Sequence, residues 1–399
     1  MENNMSSFVP DIRHAPDLKG KRVLLRAALD VPLVEGAVAG SDYRLDTALP
    51  TLRFLSERGA RTILIGHIGR DTSETLRPVF DYLKKKIPLS FAGAVVGPVA
   101  EKAAAALPDG GILLFENLRR EAGETDNDTA FASALASYAD IYVNDAFSVS
   151  HRSHASITGV PAFVPSYAGV QFAREVEELS KTLTPPSPSL VVIGGAKFET
   201  KQPFAKKCLE RFDKVFIGGA LANDFFKAKG WNTGISLVSD TPPDLSGILG
   251  HPHTMLPVDV VVEDTACSKK EGKKERCMSV KKPDALGDAD YIFDAGPETT
   301  ALLTHAVGES RFVLWNGPLG EYEHGFGGAT EALAKTLISS GVQSVVGGGD
   351  TVSAIAALHP EDGISFVSTA GGAMFEFFLE GTLPGIEALK QSAKKFGLE

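Results

Sequence analysis

Residues 345–351 read Val-Val-Gly-Gly-Gly-Asp-Thr, and residues 367–373 read Val-Ser-Thr-Ala-Gly-Gly-Ala. Each glycine cluster follows a short apolar run and precedes a helix-like segment. In that arrangement backbone N–H groups approach an anion closely and the new helix adds its positive end. One such turn needs only backbone freedom to explain it. Two of them close together in the chain suit one polyphosphate held from two sides. Asp350 and Thr351 add a carboxylate and a hydroxyl, the hard oxygen groups that a metal-bound nucleotide requires.

Further groups with the same chemical bias surround this pair. The segment GGAKFETK sets Lys197 and Lys201 four apart after Gly194 and Gly195. If a helix starts there, both ammonium groups share one face, and such cations suit the charge that moves in phosphoryl transfer. Gly218 and Gly219 repeat the strand-to-glycine theme. Trp315-Asn316-Gly317-Pro318 ends another strand, and Glu323 beyond it can accept from ribose hydroxyls. Neither Gly-x4-Gly-Lys-Ser/Thr nor Gly-x-Gly-x-x-Gly occurs, which argues against a P-loop ATPase and a nicotinamide dehydrogenase.

The first half carries a different chemistry. Arg26, Arg70, Arg119 and Arg152 fall at or just past the ends of apolar runs, His67 precedes Arg70 by three residues, and Arg44 stands before a helix-like stretch. A buried arginine must be paired or bind something. One such residue is readily explained by a structural ion pair; five arginines and a histidine at successive strand ends point to a shared anion site. Residues 1–170 hold 12 Arg and 6 Lys, whereas residues 171–399 hold 4 Arg and 18 Lys. The planar Arg fork suits carboxylates and phosphates, so the first half is expected to bind a small substrate bearing both.

These groups need a scaffold. RVLLRAAL, RTILIGHI, GILLFENL and DIYVND in the first half read as buried strands. So do SLVVIGGA, KVFIGGA, VDVVVED, ESRFVLWNG, QSVVGGGD and ISFVST in the second. Helical stretches such as TALPTLRFLSERG, PFAKKCLERF and ATEALAKTLISSG alternate with them. Alternation of this kind implies parallel sheets with helices on both faces and ligands at the carboxyl ends of the strands. Residues 170–183 form an amphipathic helical pattern followed by the breaker TPPSPS. The expected organisation is a substrate domain over 1–168, a connecting helix over 169–184, a nucleotide domain over 185–382 and a tail over 383–399.

Composition bounds the rest. A chain of 399 residues suits two domains, and 43% hydrophobic with 23% charged residues describes a globular protein. A net charge of −10 argues against a general nucleic-acid binder. No apolar run has the length of a membrane span, and the first residues lack a signal-peptide pattern. Cys208, Cys267 and Cys277 form no Cys-x-x-Cys pair and are expected to be ordinary thiols, which makes the cytosol the expected compartment. The expected state is a monomer.

Taken in order, KRVLLR, VNDAF with HRSHAS, GGAK with a second lysine, WNGP, GGGDT, and VST with GGA resemble the phosphoglycerate kinase family over nearly the whole chain. The resemblance implies two Rossmann-like three-layer α/β/α domains with parallel sheets, joined by a helix, with the C-terminal tail packing back on the first. It implies reversible phosphoryl transfer between ATP and 3-phosphoglycerate, giving 1,3-bisphosphoglycerate and ADP, a step of glycolysis and gluconeogenesis. Mg2+ travels with the nucleotide, and a closing step brings the domains together. By position, Arg26, His67, Arg70, Arg119 and Arg152 match the basic substrate patch, and Arg44 the arginine supporting the transferred group. Lys201 resembles the lysine that follows the phosphate, with Lys197 assisting, and Gly371 and Gly372 the donors facing that charge. Gly194, Gly195, Gly218, Gly219, Asn316, Pro318, Glu323, Gly349 and Thr351 match nucleotide contacts, and Asp350 the residue holding the metal.

The chain departs from the family pattern mainly in its acceptor half. Residues 26–32 read Arg-Ala-Ala-Leu-Asp-Val-Pro, with Ala28 where the family has Asp and Asp30 where it has Asn. Both positions are expected to contact the glycerate. Ala28 then forfeits a hydrogen bond worth roughly 0.5–1.5 kcal/mol, and Asp30 brings a negative charge towards an anion. Ser148, Val149 and Ser150 replace the usual Gly-Thr-Ala, and Asp71 the usual proline. Restoring Ala28→Asp with Asp30→Asn is expected to lower KM for the acceptor.

Overall fold

A computed structural model describes residues 9–38, 43–196, 201–264 and 276–398. The chain forms two compact units, one comprising Met1–Glu177 with Glu380–Glu399 and the other Glu178–Leu379. It passes from the first to the second within the helix Val170–Ser180.

The first unit is built on a six-stranded sheet. Its strands are β1 (Arg22–Ala27), β2 (Arg61–Ile65), β3 (Ser90–Phe91), β4 (Ile112–Leu114), β5 (Ile141–Asp145) and β6 (Ser166–Ala168), in the order β3-β4-β2-β1-β5-β6. All pairings are parallel, with Leu25 opposite Leu64 on one side and Val143 on the other. Continuous apolar runs such as Val23-Leu24-Leu25 suit strands covered on both faces. Each side chain removed from water there contributes about 1.5–3 kcal/mol, so Leu25→Ala would cost about 2–5 kcal/mol. The C-terminal helix Pro384–Phe396 lies on this unit, with Ser392 donating to the Val164 carbonyl at 3.1 Å and Lys395 to that of Ala162 at 2.7 Å.

The second unit repeats the plan with β7 (Ser189–Ile193), β8 (Lys214–Ile217), β9 (Thr254–Met255), β13 (Phe312–Asn316), β14 (Gln343–Gly347) and β15 (Phe366–Ser368). Their order is β9-β8-β7-β13-β14-β15, again all parallel. Both units therefore reverse direction beside their first strand, between β1 and β5 and between β7 and β13. The crevice beyond the strand ends at that reversal is where open α/β sheets bind ligands.

Not every expected strand joins a parallel sheet. VDVVVED forms β10 (Val260–Asp264), the middle of a separate antiparallel sheet in the order β11-β10-β12, with β11 at Met278–Lys281 and β12 at Asp290–Ala295. Val260 and Val262 are buried against Ala222 and Phe226 while Val261 is only partly covered. This strand thus has one core face, as antiparallel strands commonly do. Cys277, read from sequence as a thiol, is disulfide-bonded, while Cys208 is free and buried.

Candidate active site

In the first unit the ends of β1, β2 and β4 bring charge together. Arg26 is fully buried, because the strand that carries it is covered on both faces. Its Nε donates to Ser156 Oγ at 3.0 Å, and one terminal nitrogen meets His67 Nδ1 at 2.8 Å. Ser156 is in turn held by Glu124, which accepts from its N–H at 2.9 Å and its hydroxyl at 2.6 Å. Arg26 donates, so His67 Nδ1 accepts and the ring proton sits on Nε2. Burial brings the His67 pKa down to about 4, so the ring is neutral at physiological pH. Its Nε2 has no hydrogen-bond partner within the chain and lies 3.5 Å from Asp30 Oδ2.

Asp30 is part of this cluster. Burial alone would raise its pKa, but the His67 ring, the Gly69 N–H at 2.9 Å and the charge of Arg119 outweigh it and hold the carboxyl down to about 2. Arg44 donates to the Asp30 carbonyl and Arg119 to the Gly69 carbonyl. The Arg119 pKa is lowered first by burial and then by the like charges of Arg152 and Arg70, with Asp30 opposing. Arg70 and Arg152 are exposed. Positive groups gathered against their own repulsion are the signature of a place for an anion.

Two members of this cluster lie in the HRSHAS motif but were assigned no role from the sequence. His151 and His154 are both lowered, chiefly by burial and also by neighbouring arginines, and His154 Nδ1 lies 3.8 Å from Glu124 Oε1. Their spacing matches no metal pattern; they flank Arg152 in the chain, and the fold adds Arg26 and Arg119 beside His154. Ala28, expected at the acceptor, packs against the apolar cluster of Ala146, Val149 and Ile157.

In the second unit the ends of β7, β8 and β13 are glycine loops pressed on one another. Gly195 N donates to the Pro318 carbonyl at 2.8 Å and Gly194 N to that of Asn316 at 2.8 Å. A Cβ on Gly194 would lie 2.2 Å from the Pro318 oxygen, and one on Gly219 2.7 Å from Gly195 N. Gly195 and Gly317 have φ of +100° and +99°, a region that favours glycine. The approach leaves room for one cation: Lys201 Nζ donates to the Gly194 carbonyl and sits 2.8 Å from where a Cβ on Gly195 or Gly317 would be. Burial brings its pKa down to about 8, against the opposing pull of Asp350.

The remaining second-unit positions divide by exposure. Thr351 is fully buried and its hydroxyl accepts from Gly317 N at 2.7 Å. Asn316 is 3% exposed, and its Nδ2, 3.0 Å from where a Cβ on Gly348 would lie, has no partner. Gly349 and Asp350 open the helix Gly349–Ile355 and are exposed, and Gly372 opens Gly372–Glu380 behind Gly371 at φ +48°. Gly218 packs against Phe216 and Leu319. Lys197 lies outside the described residues. A cavity of about 330 Å³ collects Gly195, Gly219, Pro318, Glu323 and Asp350. Tyr291, Phe293 and Asp294 of β12 also line it. Sequence reading passed over them because DYIFDA is followed by the single Gly296, not by paired glycines as in GGA or GGGD. Among the described residues no group of three or more His, Cys, Asp or Glu could hold a metal ion.

The fold and these loops define an α/β phosphotransferase with an arginine-rich anion patch in one unit and a glycine-walled cavity in the other. The phosphoglycerate kinase family profile matches residues 12–382. A phosphoglycerate kinase of Azorhizobium caulinodans is 39% identical over 94% of this chain and 98% of its own length, and one of Caulobacter vibrioides is 40% identical with the same coverage. The solved phosphoglycerate kinase of Coxiella burnetii aligns with a TM-score of 0.82 at 34% identity, covering 96% of this chain and 98% of that one. That of Pyrococcus horikoshii gives 0.84 at 29% identity, covering 97% and 100%. The chain belongs to the phosphoglycerate kinase family.

Proposed function

We propose that the protein transfers the γ-phosphoryl group of Mg-ATP to the carboxylate of 3-phosphoglycerate, and catalyses the reverse. The observation that carries the nucleotide half is Asn316 Nδ2, a buried donor without a partner beside the Gly347-Gly348 turn. Stranding such a donor costs about 1–3 kcal/mol, and a phosphate oxygen would satisfy it. Lys201 supplies the charge that follows the phosphoryl group, Gly371 and Gly372 offer backbone donors, and Glu323 accepts from ribose.

The Mg2+ would arrive with the nucleotide. Asp350 offers it one carboxylate, which suits an ion that keeps waters and phosphate oxygens in its remaining positions. Arg119, Arg152 and Arg70 bind the acceptor, with the neutral His67 donating from Nε2. Arg26 acts by holding His67 and the Glu124–Ser156 pair in place. Arg44 steadies the transferred group. The acceptor carboxylate is already ionised at neutral pH, so no general base is required. The protein works as a monomer in the cytosol; among the described residues no helix is long and apolar enough to cross a membrane.

The test is 3-phosphoglycerate-dependent ADP formation from Mg-ATP with the bisphosphate product removed. Turnover is expected. Calorimetric binding of Mg-ATP without turnover would overturn the acceptor assignment while leaving the nucleotide site.

A further inference from the structure

The ammonium of Lys201 is lightly held. It carries three N–H donors, and among the described residues it makes one hydrogen bond, to the Gly194 carbonyl. Burial disfavours its charge, and Asp350 offsets that only in part. A cation so placed needs a further partner that does not compete with a phosphate. Lys201 Nζ lies over the ring of Phe375, 6.0 Å from its centroid, at the outer reach of the attraction between a ring face and an ammonium.

The ring is set in place by both helices that begin at the site. Phe375 stands in the first turn of Gly372–Glu380, and side chains on a helix lean toward its N-terminus. Phe204 follows Lys201 by three residues, in the first turn of Gln202–Arg211. It is 1% exposed and meets Phe375 edge-on, with centroids 4.7 Å apart at 87°, a preferred aromatic geometry. Phe378, three residues after Phe375, lies 4.7 Å from Phe204 as well. Arg211 donates to the Phe378 carbonyl at 2.6 Å and sets its guanidinium over the Phe378 ring. Phe204 and Phe378 are buried, and core packing accounts for them. Phe375 is only half-buried, so core packing does not account for its ring.

We propose that Phe375 is a positioning residue for phosphoryl transfer: the face of its ring keeps the Lys201 ammonium in place beside the helix that begins at Gly372. The proposal rests on the reading of Lys201 as the cation that follows the phosphoryl group. A ring face orders the ammonium without binding it as tightly as a carboxylate would, so the cation remains available to the moving charge. Preorganised charge costs no reorganisation at the moment of reaction. Loss of the ring should therefore appear in kcat and not in KM.

The experiment measures kcat, both KM values and the denaturant midpoint for wild type, Phe375→Leu, Phe375→Tyr and Phe212→Leu. Phe375→Leu is expected to lower kcat by about three- to tenfold with KM for Mg-ATP and 3-phosphoglycerate within about twofold. Phe375→Tyr keeps a ring face and should stay within about twofold of wild type. Phe212→Leu removes a buried ring of the same cluster, stacked near Phe312 and Phe378. It should cost stability and leave kcat within about twofold. An unchanged kcat in Phe375→Leu overturns the proposal, as does an equal fall in Phe212→Leu, which would trace the effect to stability. If Phe375→Leu fails to fold, 3,4,5-trifluorophenylalanine at position 375 decides: it keeps the ring's shape and cancels its negative face, so kcat should fall, and wild-type kcat overturns the proposal. Crystal structures of wild type and Phe375→Leu give a readout that needs no turnover. Nζ should be ordered over the ring in the first and displaced or scattered in the second, and an unmoved Nζ overturns the proposal. Absence of turnover in wild type overturns the functional reading instead, with this structural comparison still deciding what Phe375 does.

Discussion

At the ends of β1, β2, β4 and β5, the first unit sets Arg119 beside an ionised Asp30 and a neutral His67, with Arg152 and Arg70 near Arg119. At the ends of β7, β8 and β13, the second unit brings three glycine loops into backbone contact and admits a single described lysine. The strand layouts match, yet one site is made of side-chain charge and the other of main chain. A charge-built site can lose one member and keep its shape. A backbone-built site has no spare volume, so its shape and its one cation are inseparable. The two halves should therefore fail in different ways.

The largest effect is expected at Lys201. Lys201→Ala should lower kcat by about 10²–10³-fold, as loss of a charge-stabilising group does, with Mg-ATP still bound by calorimetry. Lys201→Arg should not rescue, because the Nζ position lies 2.8 Å from where a Cβ on Gly195 or Gly317 would be and leaves no room for a guanidinium. Rescue by arginine would break the idea of a sterically closed site.

Gly317→Ala tests the same idea without touching charge. Its Cβ would lie 2.2 Å from the Gly194 oxygen at a φ of +99°, and backbone strain of this kind costs about 1–3 kcal/mol before the clash is counted. Denaturant unfolding should show at least that loss, together with weakened nucleotide binding. In contrast, Arg119→Ala should leave stability nearly unchanged and raise KM for 3-phosphoglycerate by about 10–100-fold, with KM for ATP unaffected. If Arg119→Ala destabilised as much as Gly317→Ala, the contrast between the sites would collapse.

The same contrast governs what could be read in advance. Glycine junctions and the Lys201 motif are local, so the strand ends that carry them were legible as a string of letters. Nine of the expected strands lie in the two parallel sheets because a continuous apolar run needs no knowledge of its partners. VDVVVED looked the same, and only its pairing with β11 and β12 makes it antiparallel. His154 gains part of its setting from Glu124, Arg26 and Arg119, which lie far away in sequence and which a linear pattern does not record. Arg26 was correctly marked as unusual, but its full burial against His67 and Ser156 depends on the strands either side of β1.

Buried carboxyls give a smaller, pH-dependent contrast. Asp145 at the end of β5 and Asp294 in β12 are each pushed up to about 6 by burial, although each accepts backbone hydrogen bonds. A carboxyl raised above its unfolded value favours the folded chain while protonated. Its contribution is complete below about pH 4 and is lost as pH rises through 6. Asp145→Asn keeps an acceptor for Phe172 N, which Oδ1 now receives at 2.9 Å. It should therefore stabilise the protein by about 1–3 kcal/mol at pH 7.5 and by almost nothing at pH 4. Denaturant midpoints at the two pH values measure this, and a pH-independent effect would show that Asp145 is not charged in the folded state. Asp30 has the opposite sign: lowered to about 2, it contributes above pH 4 and is lost as pH falls through 2.

The smallest effect concerns the two departures at the acceptor. Asp30 is half exposed, so removing its charge changes the local field only modestly. Asp30→Asn keeps an acceptor for Gly69 N–H while removing a negative charge beside the arginines, and should lower KM for 3-phosphoglycerate by about two- to fivefold. Ala28→Asp should behave differently from what the family pattern suggests. Its new carboxylate would meet Ala146, Val149 and Ile157, and a charge placed against apolar side chains is penalised. Ala28 and Val149 are thus one joint replacement, and the aspartate should lower KM only when Val149 is changed to Thr as well. An equal gain from Ala28→Asp alone would mean that position 28 turns to the acceptor and not to the apolar cluster. Steady-state KM values for the two single variants and the double variant, at fixed ionic strength, separate these outcomes.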